Sequence, residues 1–161
     1  MPPGSGVNET VQNPRDYSEL AAIPEWRKRL SNFWVAPFEL MGFHYQTVEH
    51  AFQAYKIRLA DTETALQFTL ESGSQLSRSD GEAARRARKL KLLTPEQLRG
   101  WEAMKDAVLL NALYAKFSQH SDLRRLLLAT GNAELWHGAP RVAKARQWQL
   151  ERIRDILRTQ T

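Results

Sequence analysis

The sequence predicts a mainly helical α+β fold, a single compact multihelical domain with a small β element near its start. Three observations carry this expectation. Apolar residues recur at three- and four-residue steps over most of the chain. Helix-capping residues and a proline stand where those runs begin. The stretch 33–45, dense in aromatic and β-branched residues, is short and interrupted by Pro37 and Gly42.

From the start of the chain, residues 1–14 are rich in Pro, Gly, Asn and Gln and lack both a basic n-region and an apolar h-region. They read as a disordered leader rather than a signal peptide, with the domain spanning 15–161. Residues 33–45 then form two short strands or an extended hairpin. Val48, Phe52, Tyr55 and Leu59 keep helical spacing, which predicts a helix beginning near Thr47, with Thr47 as its N-cap.

A short helix is expected over 63–70, closed by Ser72-Gly73-Ser74, and another over 80–91 behind an Asp80 cap. Thr94-Pro95-Glu96 places proline at a first helical position. From there Leu98, Trp101, Met104, Val108, Leu109, Ala112 and Leu113 make a long apolar stripe that ends near Phe117. Ser121 is expected to cap the next helix, with Leu123, Leu126 and Leu127 inward and Gly131 as its terminating glycine. Gly138 and Pro140 read as a turn before a last helix that shows Leu150, Ile153 and Leu157 on one face.

At 161 residues the chain is long enough to bury a core around a cleft. It has no cysteine, which excludes disulfides and thiolate zinc sites and fits a reducing, cytoplasmic setting. Its longest apolar run, Leu126 to Ala129, is far short of the ~20 residues of a membrane span. The net charge of +5 suits an anionic ligand such as a phosphorylated nucleotide, or equally a solvated basic surface. The basic run from Arg85 to Lys91 would suit nucleic acid, but it lacks a reading motif and interleaved aromatics.

The segment from Leu30 to Lys56 carries the chemistry. On a helix, Glu49, Gln53 and Lys56 fall at i, i+4 and i+7 and share one face. The rise from first to last is roughly 10 Å, a span that suits a ribose-sized ligand. Phe52 lies on the same side and offers an aromatic surface to a base or sugar. The plain alternative is an exposed polar stripe, and His50 reads more readily as a hydrogen-bonded structural residue than as a catalyst.

Leu30-Ser31-Asn32-Phe33-Trp34 followed by Glu49-His50-Ala51-Phe52-Gln53-Ala54-Tyr55-Lys56 resembles the signature of the NADAR (YbiA-like) family of N-glycosidases. A second block, Trp101, Met104-Lys105, Ala115-Lys116-Phe117, Leu126 to Thr130 and Glu134-Leu135, follows the same family's order and spacing. The resemblance spans about 23–154. It implies hydrolysis of an N-glycosidic bond between ribose and a base or amine, without a metal or organic cofactor. The partners it implies are nucleotide-like small molecules, ADP-ribose on guanine or a ribosylamino-pyrimidine phosphate, extending to ADP-ribosylated nucleic acid; no membrane is involved.

The same resemblance makes Lys56 the catalytic amine, passing through a Schiff base, which requires a lysine that is partly neutral near pH 7. Glu49 is expected in the first helical turn, where the helix dipole favours its ionised form, so it is assigned to hydroxyl binding, base catalysis or charge stabilisation. Asn32 and Gln53 are candidate hydrogen-bonding groups. Trp34 and Trp101 are candidate stacking surfaces, with core packing the alternative for each.

Two departures stand out. The family's Gly-Arg pair before the tryptophan helix is here Ala87-Arg88, and its acidic, Trp-Gly-containing loop is replaced by Trp136-His137-Gly138-Ala139-Pro140-Arg141. Arg88, His137 and Arg141 are therefore candidate contacts to phosphate or leaving base, with a capped turn the alternative for the last two. The altered segment also allows a non-catalytic ADP-ribose or nucleotide-binding module.

Overall fold

The structure, a computed structural model, describes residues 9–12, 17–139 and 141–160. In chain order its elements are β1 (Glu9–Gln12), α1 (Ser18–Ala21), α2 (Trp26–Arg29), β2 (Phe38–Leu40), β3 (Phe43–Tyr45), α3 (Val48–Ile57) and α4 (Thr62–Leu66). Two 3-10 turns, Leu70–Ser72 and Leu76–Arg78, lead to α5 (Gly81–Arg86), which tightens into a third, Ala87–Leu90. Then come α6 (Pro95–Gln119), α7 (Ser121–Ala129), β4 (Glu134–Ala139), β5 (Val142–Arg146) and α8 (Trp148–Thr159).

The spine is α6, 25 residues long, against which α3, α7, α8 and β2 pack. Its start is fixed as its sequence predicts. Thr94 and Gln97 exchange side-chain and backbone hydrogen bonds in a capping box, and Pro95 opens the helix where no N–H is needed. The core gathers Val48, Ala51, Ala54 and Ile57 from α3, Leu113 and Phe117 from α6, and the inward leucines of α7 and α8. Burying a Val or Ile in this way stabilises by roughly 1.5–3 kcal/mol, so the inner stripe of α3 holds that helix far more firmly than its ten-residue length would.

The hairpin expected over 33–45 forms as β2–β3, with Phe38 opposite Tyr45 and Leu40 opposite Phe43. Met41 and Gly42 both take positive φ at its tip. The outer edge of β2 is covered by one side chain: Gln119 Oε1 accepts from the Glu39 N–H at 2.8 Å, and Gln119 Nε2 donates to the Glu39 carbonyl at 2.7 Å. An amide pairs here as a strand residue would.

Thr47 caps α3 and Asp80 caps α5 as expected, each accepting a backbone N–H three residues on. Gly131, at φ 63, ends α7 as a left-handed glycine should. Other expectations are corrected. The helix expected over 63–70 stops at Leu66, and the one over 80–91 ends as a 3-10 turn. Ser121 is the first residue of α7 rather than its cap; His120 takes the N-cap position, with Nε2 bonded to the Pro37 carbonyl at 2.7 Å.

The largest correction concerns the β content. The turn expected around Gly138 before the last helix is instead part of a second hairpin, in which β4 pairs with β5, and β1 joins it to give a three-stranded antiparallel sheet in the order β1-β4-β5. Four residues of the expected leader therefore belong to a sheet, with Val11 only 2% exposed. Residues 1–8, 13 and 14 lie outside the described residues. No helix among the described residues is long and apolar enough to cross a membrane.

Candidate active site

The site is assembled where α3 begins. Its first N–H groups have no partner within the helix, and two outside groups meet them. Thr47 Oγ1 accepts from His50 N–H at 3.1 Å, and the Asn32 carbonyl accepts from Glu49 N–H at 3.1 Å. The second bond ties the loop 31–34 to the turn that carries Glu49. Within that loop Ser31 Oγ accepts from Phe33 N–H, and Trp34 N–H donates to the Ser31 carbonyl. Asn32 is thus held beside the start of α3, as its sequence position suggests.

The third wall is α5. Gly81 lies so close to Phe33 that a Cβ there would sit 2.4 Å from the Phe33 Cα, far inside any tolerable contact. This close crossing brings α5 and its 3-10 extension against α3. Arg85 and Arg88 consequently act electrostatically on Glu49, as Lys56 does from its own helix. Arg88 is a candidate from sequence; Arg85 is not. The signal for it was present, since the Asp80 cap sets Arg85 and Arg88 three residues apart on one helical face.

Glu49 and Gln53 form a bonded pair. Gln53 Nε2 donates to Glu49 Oε1 at 2.9 Å, which fixes the amide's orientation. Gln53 is 5% exposed, and its Oε1 is buried without a hydrogen-bond partner. The Glu49 carboxyl is pushed up from the ordinary carboxylate range, chiefly because burial penalises its charge. The Gln53 bond, Arg85, Arg88 and Lys56 pull the other way and offset part of that penalty. Burial thus shifts the Glu49 pKa upward, opposite to the direction expected from its place in the first helical turn.

Next to Glu49, His50 turns inward and is fully buried. Its Nδ1 meets Thr47 Oγ1 at 2.7 Å and its Nε2 meets the Leu76 carbonyl at 2.9 Å. The Leu76 carbonyl can only accept, so Nε2 carries the proton and Nδ1 accepts from the threonine hydroxyl. Burial lowers the His50 pKa to about 4, against a weaker opposing pull from the Leu76 bond. It is a neutral structural histidine.

Phe52 is half-buried and meets Trp101 edge-on, ring centroids 4.9 Å apart at 68°. Trp101 itself is 3% exposed, so the packing alternative describes it better than an open stacking face, and any ligand contact would pass chiefly through Phe52. One face of the half-buried Trp34 lies against the Arg29 guanidinium, 5.3 Å from the ring centroid.

His137 lies in β4, and Arg141, at φ 65, forms the β4–β5 turn. Their hairpin packs chiefly on β1 and α8, elements that carry none of Glu49, Gln53 or Lys56. A groove of about 670 Å³ opens between α6, the β2–β3 hairpin and the C-terminal half of α3, lined by Tyr55, Arg58, Met104 and Tyr114 among others; Glu49, Gln53 and Lys56 do not line it. Among the described residues no group of three His, Asp or Glu side chains converges as a metal site.

The NADAR domain model matches residues 23–143. The N-glycosidases YbiA of Escherichia coli K12 and of Shigella flexneri are each 35% identical over 105 residues, 65% of this chain and 59% of theirs. The chloroplastic riboflavin biosynthesis protein PYRR of Zea mays is 35% identical over 99 residues, 61% of this chain and 16% of that protein. The alignment thus spans about three fifths of the length of the YbiA proteins. The NMR structure of E. coli YbiA has a TM-score of 0.67 and 26% identity, covering 99% of this chain and 95% of that one.

Proposed function

Because this chain belongs to the NADAR domain family, we propose that it is an N-glycosidase that hydrolyses the bond between the anomeric carbon of a ribose and a base or amine nitrogen. The observation that carries this reading is the Glu49–Gln53 pair: a half-buried carboxyl with a raised pKa beside a buried amide oxygen that has no partner. A sugar hydroxyl donating to Gln53 Oε1 would satisfy that oxygen, and the raised Glu49 pKa favours the protonated form that can give its proton to a departing base nitrogen.

Arg85 and Arg88 suit a phosphate on the same substrate, either the diphosphate of ADP-ribose on guanine or the monoester of a ribosylamino-pyrimidine. ADP-ribosylated nucleic acid fits the same description. Asn32 supplies a further polar contact, Phe52 and Trp34 supply aromatic surface, and a cytoplasmic location accords with such substrates.

In the reaction proposed, the Lys56 nitrogen adds through its lone pair to the anomeric carbon as the C1–N bond breaks. The bonding pair leaves on the base nitrogen, which takes the Glu49 proton. The Lys56 nitrogen, now carrying an extra proton, returns it to Glu49, which delivers it to the ring oxygen as the C1–O4 bond opens to the Schiff base. Water then adds to C1, the amine is expelled, and Glu49 relays the proton between them. The sum is substrate and water to free base and free sugar.

The test is release of base from ADP-ribosylated guanosine and from a ribosylamino-pyrimidine phosphate, with and without borohydride. Wild type should release base from one of them and be trapped as a covalent adduct, and Lys56→Ala should lose both by a factor of about 10² or more. Release that survives Lys56→Ala would remove the Schiff-base step and leave Glu49 acting on water. Tight binding of both compounds without any release would instead favour the non-catalytic binding module.

A further inference from the structure

We propose that Lys116 is a positioning residue for this reaction, gripping the loop that fixes Asn32 and Glu49; the proposal rests on the N-glycosidase reading of the site. Lys116 is fully buried on α6, in a helical stripe whose other inward residues, Ala112, Leu113, Ala115 and Phe117, are apolar. Packing alone would be served there by Leu or Met. What lysine adds is a donor. Its Nζ donates to the Arg29 carbonyl at 2.9 Å and to the Ser31 carbonyl at 2.8 Å, across more than eighty residues of sequence.

Those two carbonyls stand at the end of α2, where the last carbonyls of a helix lack partners within it. A buried polar group is tolerated only when bonded, so the Lys116 bonds and the course of the 29–31 backbone depend on each other. Beyond Ser31 the chain has no strand ladder until Phe38, yet this is the stretch that builds the site. The Asn32 carbonyl accepts from Glu49 N–H, and Trp34 N–H donates to the Ser31 carbonyl that Lys116 also holds. One residue therefore separates the lysine's grip from the turn that carries Glu49. Lys116 acts on the site through the loop.

The experiment uses the full chain with Lys116→Met, which keeps the volume and removes the donor, and Ser31→Ala, a milder loosening of the same loop. Two readouts are taken: hydrogen exchange at the amides of 31–34 and Glu49, and steady-state release of base from whichever compound wild type cleaves. In Lys116→Met the Glu49 and loop amides should exchange faster while α7 and α8 stay protected. Turnover should fall on the order of 10- to 100-fold in kcat with little change in KM, the cost of a misplaced catalytic group.

Wild-type turnover with a protected Glu49 amide would overturn the proposal. So would faster exchange spread evenly over the chain with undiminished kcat per folded molecule, because that is a purely structural lysine. If Lys116→Met does not fold, Ser31→Ala decides by the same two readouts, with a smaller shift in the same residues. If wild type cleaves neither compound, the N-glycosidase reading fails separately, and the exchange measurement still decides whether Lys116 holds the Glu49 turn.

Discussion

Glu49 and His50 are neighbours in one turn of α3, yet the two faces they occupy are built on opposite terms. On the inner face every polar atom of the His50 ring has a protein partner, and the ring is held neutral between Thr47 and Leu76. On the outer face a half-buried carboxyl leans on an amide whose oxygen is left without a partner, with Arg85 and Arg88 facing it from another helix. Polar groups that are buried and satisfied serve the fold. Gln53 Oε1, buried and unsatisfied beside the carboxyl, is the atom that a ligand hydroxyl would complete.

Substitutions at the two positions should therefore separate activity from stability. The largest effect is expected from Glu49→Gln: base release should fall by roughly 10²- to 10⁴-fold, the usual contribution of a general acid. Its melting temperature should hold or rise, because a half-buried carboxyl whose charge is penalised by burial is replaced by a neutral amide. A variant that loses stability and keeps turnover would break the comparison.

His50→Ala should do the reverse. It removes the His50 bonds to Thr47 and Leu76 and opens a cavity, a loss of about 2–4 kcal/mol in denaturant unfolding with turnover per folded molecule retained. The same histidine should make stability depend on pH. Its folded pKa of about 4 lies below the ordinary 6.5, so the unfolded chain binds the proton more readily. The contribution is complete above pH 6.5 and is lost as pH falls toward 4, by about 3 kcal/mol in all. Unfolding curves from pH 7 to pH 4 on wild type and His50→Ala would show whether the slope belongs to this residue.

Smaller effects should follow on the outer face from Arg88→Ala. KM for a phosphorylated substrate should rise by about tenfold, the loss of one charge-assisted contact. Arg88 also holds the Glu49 pKa down, so removing it raises that pKa further and keeps Glu49 protonated to higher pH. The alkaline limb of the kcat profile should move upward, not downward, and a downward shift would remove Glu49 from the acid role.

Much of the inner face is legible in the sequence, because local rules specify it: the Thr47 and Asp80 caps, Pro95 at its N1 position and the four-residue apolar steps each act within one turn of helix. The shared face of Glu49, Gln53 and Lys56 is legible for the same reason. Features created by distant partners are not. Burial pushes the Glu49 pKa up, and α5 packs across the helix that carries it. Arg85 reaches the site by the same crossing. The β4–β5 hairpin hides behind Gly138, Pro140 and a run of alanines and basic residues with little β-branched character. Its partner β1 lies more than a hundred residues away, where the buried Val11 stands between the polar residues Thr10 and Gln12 of the sequence.

The Gln119 amide that covers Glu39 bears on how these molecules behave at high concentration. A two-stranded hairpin with a bare outer edge is a template onto which another chain can add a strand, and such additions propagate into insoluble assemblies. Here the exposed N–H and C=O of Glu39 are both engaged by a side chain from the protein's own longest helix, at the centre of a three-residue edge. One glutamine thereby denies that edge to a strand from a second chain.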